Sequence, residues 1–421
     1  RNFKAGILSC FFAVGSLSGS VSAYAESETV SDETLSAMQD DYYFIEPVDT
    51  GIPTYSDYYD KYAEEKRPDK VIEVKGSDFA SFKNGDFSIG KYGTDDDMRS
   101  DVLIWASADG ELKYNIDVSE TGLYCMSMNY FPIESNSSQI ELSLSIDGEI
   151  PYDTASRITL NRVWVNETEI YTDSRGNQVR PAQIQKGMWQ SCNIGDVDGL
   201  FSEPLLFYLE KGEHEIVFSS ERAELAIESF KFYNPDELPS YSEYRQNIES
   251  EKGNVSNSSK IFRIEGENAD YKSDSTLYPT YDNTSYLVSP ADPTKVVYNT
   301  LGSGNWQKAL QSVTWTIPKE TIGSDGWYKI GIKSRQNQMR GFYSNRRIYI
   351  DGEVPCKEFE QVKFFYDTEW NVASPKTENG DFAYVYLNAD EDHTITMECV
   401  PGEIGNSLRK LDDVVTDPNK Y

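Results

Sequence analysis

The chain has 421 residues, which at roughly 100 to 200 residues per domain is long enough for two or three domains with separate hydrophobic cores. Asp and Glu number 70 against 39 Lys and Arg, so the net charge is −31. A chain this acidic repels phosphate backbones and anionic membranes, which argues against nucleic acid as a partner. Only 2 residues are histidine, which argues against zinc sites and catalytic centres that need several imidazoles.

The first 25 residues have the features of a secretory signal peptide. Arg1 and Lys4 precede an apolar run at 5–14, and Ala23-Tyr24-Ala25 has the small-residue pattern of a cleavage site. The run is too short to span a bilayer, and no later stretch has the roughly 20 apolar residues of a transmembrane helix. The sequence therefore predicts an exported protein. Lipid attachment at Cys10 is the alternative, which the short apolar run before it disfavours.

Changes in composition divide the rest of the chain. Residues 26–70 read as an acidic linker that ends in a short helical connector, and 236–260 as a second connector with a Ser/Asn-rich linker. Between and after them we predict two modules, at 71–235 and at 261–403. Residues 404–421 read as the start of a further segment that this chain does not complete.

Five sequence markers recur in the same order in the two modules. Gly122-Leu123-Tyr124 returns as Gly326-Trp327-Tyr328, and Ile146–Pro151 returns as Ile350–Pro355, each 204 positions later. The remaining markers are Ile72-Glu73 with Ile264-Glu265, Pro53-x-Tyr55 with Pro239-x-Tyr241, and His214 with His393. A repeat of this kind predicts two copies of one fold, with Tyr124 and Tyr328 in equivalent strands.

Within each copy the apolar residues alternate with period two, as in half-buried β-strands. Examples are Leu112, Tyr114 and Ile116 in the first copy, and Val313, Trp315 and Ile317 in the second. The shared Ile-Asp-Gly-Glu segment predicts a tight turn between two strands. Because no regular helices separate the strands, we predict a mainly β protein. Its two tandem antiparallel jelly-roll β-sandwiches are joined by short helical connectors.

The stretch 161–204 of the first module breaks this alternation. Long loops on a sandwich are common places for recognition. Indole faces can stack on sugar rings, while Arg, Asp and Asn can hydrogen-bond sugar hydroxyls. The candidate ligand-binding residues are therefore Arg162, Trp164, Asp173, Asn177, Arg180 and Trp189.

The same stretch has a structural interpretation. Trp164 and Trp189 can cover the sheet, and Arg180 can order the loop through an ion pair, since a loop this long must be tied down. His214 and His393 each begin a strand after a turn, with no sign of the positioned partner and cleft that a general base needs. The common catalytic motifs are missing from the sequence, which favours a protein that is not an enzyme.

These markers resemble those of galactose-binding-like carbohydrate-binding modules. More narrowly, Arg162-x-Trp164, the stretch 173–181 and Trp189, placed between a Pro-x-Tyr connector and a second sandwich, resemble the N-terminal region of large extracellular solute-binding proteins. Those proteins serve carbohydrate ABC importers of bacteria. The resemblance covers most of the chain from Pro53 to Tyr421.

The resemblance implies a protein at the surface of a bacterium that binds a glycan or oligosaccharide. An ABC-transporter permease would be its partner, through solute-binding lobes that this sequence does not contain. In related modules, carboxylates of the opening and closing strands often hold a structural Ca²⁺. The implied ligands here are Glu73 with Glu228, and Glu265 or Glu267, although Lys75 replaces an expected acidic residue.

Two other functions stay open at this point. The modules can be ligand-free spacers or protein-interaction modules of a surface protein. They can also be ancillary modules of a glycoside hydrolase, which needs two carboxylates roughly 5 to 10 Å apart across a cleft.

Overall fold

A computed structural model describes residues 51–416 of the chain. The predicted signal peptide and most of the predicted acidic linker lie outside the described residues. The described part is mainly β and forms two antiparallel β-sandwiches, which confirms the predicted fold class. Its helices include none with the length and apolar character needed to cross a bilayer.

The first connector is helix α1 (Tyr55–Tyr62), which lies against the first sandwich. Thr54 caps it by accepting a hydrogen bond from the backbone N–H of Asp57 at 3.1 Å. Tyr58 is buried, and its hydroxyl accepts a hydrogen bond from the backbone of Tyr208 at 2.7 Å. The connector is therefore part of the first hydrophobic core.

The first sandwich has a seven-stranded and a five-stranded layer. The strands of the larger layer are β1 (Ile72–Lys75), β3 (Phe87–Gly93), β4 (Met98–Trp105), β6 (Gly122–Pro132), β13 (Gln190–Asn193), β14 (Leu206–Leu209) and β16 (Leu225–Tyr233). Those of the smaller layer are β2 (Ser81–Lys83), β5 (Gly110–Val118), β7 (Gln139–Ile146), β8 (Ile158–Asn161) and β15 (Gly212–Arg222). Strand β16 is central, because it pairs with β1, β4 and β6.

The second sandwich follows helix α2 (Tyr241–Lys252), whose N-terminus has a capping box between Ser240 and Glu243. Its larger layer contains β17 (Tyr271–Lys272), β20 (Ser312–Ile317), β23 (Tyr343–Ile350), β24 (Val362–Phe365) and β27 (His393–Val400). The other layer has three separate pairs, namely β18 (Pro279–Thr280) with β19 (Thr300–Leu301), β21 (Gly326–Lys329) with β26 (Tyr384–Leu387), and β22 (Ile332–Ser334) with β25 (Asn371–Ala373). Two further helices are α3 (Lys319–Ile322) and α4 (Glu403–Thr416).

Equivalent hydrogen bonds confirm the repeat. The Tyr124 hydroxyl donates to the carbonyl of Glu120 at 2.6 Å, and the Tyr328 hydroxyl donates to that of Ser324 at 2.7 Å. Tyr124 lies in β6 and Tyr328 in β21, and both strands form the same pairing with the strand that precedes the module's histidine. The two tyrosines therefore occupy equivalent strands, as predicted.

The stretch 161–204 connects the two sandwiches, which the sequence analysis does not predict. Its strands β9 (Trp164–Asn166) and β12 (Gln183–Gln185) extend the large layer of the second sandwich through β17. A hairpin of β10 (Tyr171–Thr172) and β11 (Gln178–Val179) also belongs to this stretch. The added strands cover an edge that would otherwise leave backbone N–H and C=O groups unpaired.

Both histidines secure the predicted Asp-Gly turns. The His214 ring contacts the carboxylate of Asp147 at 2.7 Å, and the His393 ring contacts that of Asp351 at 2.5 Å. Each aspartate has a positive φ, 53° and 52°, which short polar side chains tolerate in tight turns. The histidines are therefore structural, in agreement with the sequence interpretation.

A titration tests the first of these contacts. Burial lowers the pKa of His214, but hydrogen bonds with the Asp147 carboxylate and the Glu210 carbonyl outweigh it, and the pKa lies above its ordinary value. The stabilisation that the protonated His214 ring gives the folded state is therefore complete below about pH 6.5. It is lost as the pH rises through the folded-state pKa of His214. We expect an NMR titration of the ring to give a midpoint above about 6.5, which Asp147→Asn lowers. An unchanged midpoint in Asp147→Asn would contradict this contact.

Candidate functional site

A cavity of about 210 Å³ lies in the first sandwich, between the outer face of the large layer and the stretch 161–204. Its walls come from β3, the end of β6, the link between β8 and β9, and the segment that leads from the end of β12 to β13. The lining residues are Tyr92, Phe131, Pro132, Glu134, Arg162, Val163, Gln185, Lys186 and Gly187. Four separate parts of the chain therefore build one concave site.

Aromatic rings form one wall. Tyr92 and Phe131 meet edge to face, with ring centroids 5.1 Å apart and planes at 81°. Gly187 makes this wall possible, because a Cβ at that position would lie 2.6 Å from two carbon atoms of the Phe131 ring. The wall offers aromatic edges and faces to an apolar ligand surface.

The guanidinium of Arg162 is fully buried beside the cavity. It donates to the carbonyl of Ile133 and to that of Ala223, the latter at 3.4 Å, and it lies 3.6 Å from the carboxylate of Glu224. Its Nε is buried and has no hydrogen-bond partner among the described residues. Burial lowers the pKa of Arg162, and Glu224 opposes that shift. Arg162 therefore fixes the loop after β6 in place.

Three polar groups at the cavity are available to bind a ligand. Among the described residues, the Tyr92 hydroxyl and the Glu134 carboxylate have no hydrogen-bond or ion-pair partner, and the Lys186 ammonium has no ion pair. Lys186 lies over the ring of Tyr271, at 5.2 Å from its centroid. Burial raises the pKa of Tyr92, so its hydroxyl stays protonated at neutral pH and can donate a hydrogen bond.

Trp189, one of the predicted ligand residues, is only 9% exposed. Its ring lies edge to face with Phe131 at 5.5 Å, and its indole N–H donates to the carbonyl of Asp97 at 3.1 Å. The guanidinium of Arg99 lies over the ring at 4.4 Å. The indole is therefore buried behind the aromatic wall and has no free face for a sugar.

The other predicted ligand residues hold the two sandwiches together. Asp173 accepts from the backbone N–H of Asn177 at 2.8 Å, and the Asn177 side chain accepts from Val296 at 3.1 Å. Arg180 lies over the ring of Tyr278 at 3.9 Å. Trp164 is half-buried in β9, and its indole N–H is buried without a partner among the described residues. Of the six predicted residues, only Arg162 lines the cavity.

The predicted calcium ligands do not fit a calcium site. The carboxylate of Glu228 is 2.5 Å from the guanidinium of Arg99, and Arg263 contacts both carboxylate oxygens of Glu265 at 2.8 Å. Glu73 is exposed in β1, and Glu267 is buried, which raises the pKa of its carboxyl. Within residues 51–416, no three His, Cys, Asp or Glu side chains form a group that could hold a metal ion.

The resemblance implies calcium binding and the geometry argues against it at these residues, and a melting experiment decides between the two. Arginine side chains neutralise the carboxylates of Glu228 and Glu265, so calcium is not needed there. We expect EDTA and millimolar calcium to change Tm by less than about 1 °C, because only a ligand that binds the native state raises stability. A rise in Tm of several degrees with calcium, reversed by EDTA, would show a calcium site that the described contacts do not predict.

Sequence reasoning missed most of the cavity. Tyr92, Phe131 and Glu134 lie in or just after ordinary strands, and Gln185 and Lys186 lie in a stretch chosen for its tryptophans. Phe131 and Pro132 do end the long apolar run of β6, which is the one local signal for a sheet edge. The position of Tyr92 opposite them depends on strand order, which no local pattern contains.

No family model and no curated protein matches the chain. Solved structures that are similar to it include the C-terminal family 6 carbohydrate-binding module of LamC, a marine laminarinase from Zobellia galactanivorans. It is 6% identical, with a TM-score of 0.22 over 39% of this chain and 100% of that one. A family 35 module from Clostridium thermocellum is 11% identical, with a TM-score of 0.23 over 39% and 99%. The module CBM6cm-2 of Cellvibrio mixtus lichenase 5A, in complex with cellotriose, is 11% identical, with a TM-score of 0.22 over 40% and 100%.

Proposed function

We propose that the first sandwich is a non-enzymatic carbohydrate-binding module whose ligand enters the cavity beside Tyr92 and Phe131. The observation that carries this proposal is the combination of an aromatic wall with three uncommitted polar groups, those of Tyr92, Glu134 and Lys186. Sugars present apolar C–H faces and a dense set of hydroxyls, and both kinds of surface find complementary groups here.

The size of the cavity limits the ligand. At about 210 Å³ it is smaller than the roughly 300 to 1,000 Å³ of pockets for drug-sized ligands. It therefore suits one sugar unit, at the end of a chain or in a side branch. Glu134 accepts hydrogen bonds from sugar hydroxyls, while Lys186 and Tyr92 donate them.

Binding rather than turnover is the better account of these groups. General acid–base catalysis needs a positioned side chain whose pKa suits the reaction. His214 and His393 both engage turn aspartates, and Glu134 is an exposed carboxylate with no second carboxylate in the cavity lining.

For the whole protein we propose export to the surface of a bacterium and a role beside the solute-binding lobes of a carbohydrate ABC importer. The support for this context is the signal-like segment before residue 26 and the resemblance of the motifs in 161–204. An ancillary module of a glycoside hydrolase is the alternative that uses the same binding site.

One observation favours a second function, a rigid spacer. Strands β9 and β12 of the stretch 161–204 lie in the sheet of the second sandwich. The backbone of Gln178 also donates to Val296 at 2.9 Å. Two modules joined in this way can hold a neighbouring domain at a fixed distance, with or without a glycan.

Glu134→Gln separates binding from stability. Glu134 is exposed and has no partner among the described residues. The Tm of Glu134→Gln should therefore stay within about 1 °C of the Tm of the unmodified protein. We expect glycan affinity to fall at least about tenfold, because a hydrogen bond to a charged group contributes about 1.5 to 3 kcal/mol. A glycan-array screen identifies the ligand, and calorimetry with the best glycan measures the loss.

Tyr92→Phe and Tyr171→Phe form a matched pair for the same experiment. Tyr92→Phe keeps the ring packing and removes the free hydroxyl, whereas Tyr171 is an exposed tyrosine in β10, away from the cavity. We expect only Tyr92→Phe to weaken binding. No glycan binding by the unmodified protein, or equal binding by all variants, would leave the spacer function as the better account.

A further inference from the structure

A second cavity lies beside the one that contains Tyr92 and Phe131. It has a volume of about 460 Å³ and is built from the loop 133–138, which connects β6 to β7, and from the chain at the end of β15. Its polar lining consists of Asn136, Ser137, Ser138, Glu221, Arg222 and Glu224, and none of the residues that line it is aromatic. We call it the polar cavity, and the one beside Tyr92 and Phe131 the aromatic cavity.

The two cavities share a wall. The loop 133–138 contributes Glu134 to the aromatic cavity and Asn136 to the polar cavity. Two residues of extended chain span at most about 7 Å, which is the scale of one sugar ring. The Arg162 guanidinium of the aromatic cavity also lies 3.6 Å from the Glu224 carboxylate of the polar cavity. Neighbouring units of one ligand can therefore lie in both cavities.

Hydrogen bonds fix the shared loop in place. Ser135 donates its N–H to the side-chain oxygen of Gln185 at 3.2 Å, and its carbonyl accepts from the side-chain nitrogen of Gln185 at 2.7 Å. Ile133 donates to the carbonyl of Glu224 at 3.0 Å, and its own carbonyl accepts from Arg162. A loop that is ordered before binding loses little conformational entropy when a ligand binds.

The other wall of the polar cavity contains a β-bulge. The register of β15 on β7 shifts between Ser219 and Arg222. The Ser220 hydroxyl fixes this bulge, because it donates to the carbonyl of Glu141 at 2.6 Å and accepts from the N–H of Arg222 at 2.8 Å. Bulges commonly redirect a side chain next to a site. Here the bulge places Glu221 in the lining of the cavity.

Three side chains of the polar cavity are available to a ligand. Asn136, Ser138 and Glu221 are exposed, and they have no hydrogen-bond or ion-pair partner among the described residues. Neighbouring ion pairs balance the charges of Arg222 and Glu224. Amide and hydroxyl groups both donate and accept hydrogen bonds, as sugar hydroxyls do. The unpaired carboxylate of Glu221 accepts hydrogen bonds and repels anionic groups.

We propose that the polar cavity is a second sugar subsite, which binds the neutral unit next to the one in the aromatic cavity. This inference rests on the proposed carbohydrate-binding function of the first sandwich. The ligand is then an uncharged oligosaccharide of at least two units. Its second unit has no aromatic ring to stack on, so hydrogen bonds with Asn136, Ser138 and Glu221 hold it. The Glu221 carboxylate disfavours a uronic acid or a sulfated sugar at this position.

A chain-length series tests the subsite. The probes are neutral gluco-, manno- and galacto-oligosaccharides of one to four units, measured by calorimetry on the full chain. For the sugar that binds, we expect affinity to rise about tenfold from one unit to two, because new hydrogen bonds form in the polar cavity. Asn136→Ala with Ser138→Ala should remove this rise and leave the affinity for one unit unchanged. Glu134→Gln should instead weaken the binding of every length.

The double variant has a stability control and a matched binding control. Asn136 and Ser138 are exposed without partners among the described residues, so the Tm of the variant should stay within about 1 °C of that of the unmodified protein. Asn283→Ala changes an exposed asparagine of the second sandwich and should alter no affinity. Equal affinity for one and two units, or an unchanged rise in the double variant, would refute the polar subsite and leave the aromatic cavity as the binding site. No binding at any length would overturn the proposed function as well.

Charge gives an independent readout of the same subsite. We expect a disaccharide whose second unit is a uronic acid to bind at least about fivefold more weakly than the neutral disaccharide. Glu221→Gln should reduce this difference and leave the affinity for the single neutral sugar unchanged. Equal or stronger binding of the acidic disaccharide by the unmodified protein would contradict a neutral unit beside Glu221.

Discussion

Trp189→Ala is expected to lower the free energy of unfolding by about 3 to 5 kcal/mol, the range for replacing a buried tryptophan with alanine. The indole is 9% exposed and packs with Val102, Phe131 and Ala226. The substitution also removes the hydrogen bond to Asp97 and the contact with Arg99. Because folded domains have a net stability of about 5 to 15 kcal/mol, this loss is a large part of the total.

Urea unfolding followed by circular dichroism measures the effect. Tyr171→Ala is the control, because Tyr171 is 55% exposed and surface substitutions usually change stability by less than about 0.5 kcal/mol. Trp189→Phe should lie between the two, since it keeps an aromatic ring and loses the indole N–H. A small loss in Trp189→Ala together with weakened glycan binding would instead place the indole at the ligand, as the sequence suggested.

Local chemistry explains which parts of the fold were predictable. The Asp-Gly turns could be found because few residue types accept a positive φ, and the turn positions Asp147 and Gly148 have φ of 53° and 84°. The repeat at 204 positions then placed Tyr124 and Tyr328 in equivalent strands. Period-two alternation also identified the inward face of β5, where Leu112 and Tyr114 are fully buried.

The choice of partners far along the chain was not predictable. Residues 161–204 were recognised as irregular, but nothing local shows that β9 pairs with β17, a strand about 100 residues later. The same holds for Glu228, whose nearest cation is Arg99, 129 positions earlier. A carboxylate that resembles a calcium ligand in sequence is an ion-pair partner in the folded chain.

The predicted ligand site has a related explanation. Tryptophan and arginine are suited both to sugar contacts and to burial with hydrogen bonds, and only exposure separates the two roles. Arg162 lines the cavity but is fully buried, and Trp189 is buried behind the aromatic wall. The polar groups without partners come from Tyr92, Glu134 and Lys186. Sequence could therefore indicate the region, and strand order decided which side chains face the cavity.

Lys272 connects the two sandwiches, and we expect its buried charge to make stability depend on pH. The residue is 2% exposed. Its ammonium donates to the side-chain oxygens of Asn166 at 2.6 Å and Gln183 at 2.7 Å. Burial lowers the pKa of Lys272 to about 8, although Asp270 opposes the shift. No carboxylate forms an ion pair with it within the described residues.

The sign of the pH dependence follows from proton binding. An unfolded chain keeps the Lys272 proton up to about pH 10.4, whereas the folded protein releases it near pH 8. The unfolded state therefore binds more protons between these values, and stability rises with pH by up to about 1.4 kcal/mol per unit. Across the whole interval the gain is about 3 kcal/mol.

Lys272→Met isolates this contribution. Methionine fills a similar volume without a charge, and replacing a buried charged group by an apolar one is often neutral or stabilising. We expect Lys272→Met to be at least as stable as the unmodified protein at pH 7, whereas Asn166→Ala with Gln183→Ala should lose about 2 to 3 kcal/mol, because the ammonium loses both acceptors.

Urea unfolding at pH 7 to 9.5 gives the test, read as the difference between the unmodified protein and Lys272→Met. Buried tyrosines such as Tyr55 and Tyr58, whose pKa burial raises, are present in both proteins and cancel in that difference. We expect the free energy of unfolding of the unmodified protein to rise steadily above pH 8 relative to that of Lys272→Met. A difference that stays constant over this range would mean that the folded protein keeps the Lys272 proton throughout. That result would contradict a buried charge with a pKa near 8.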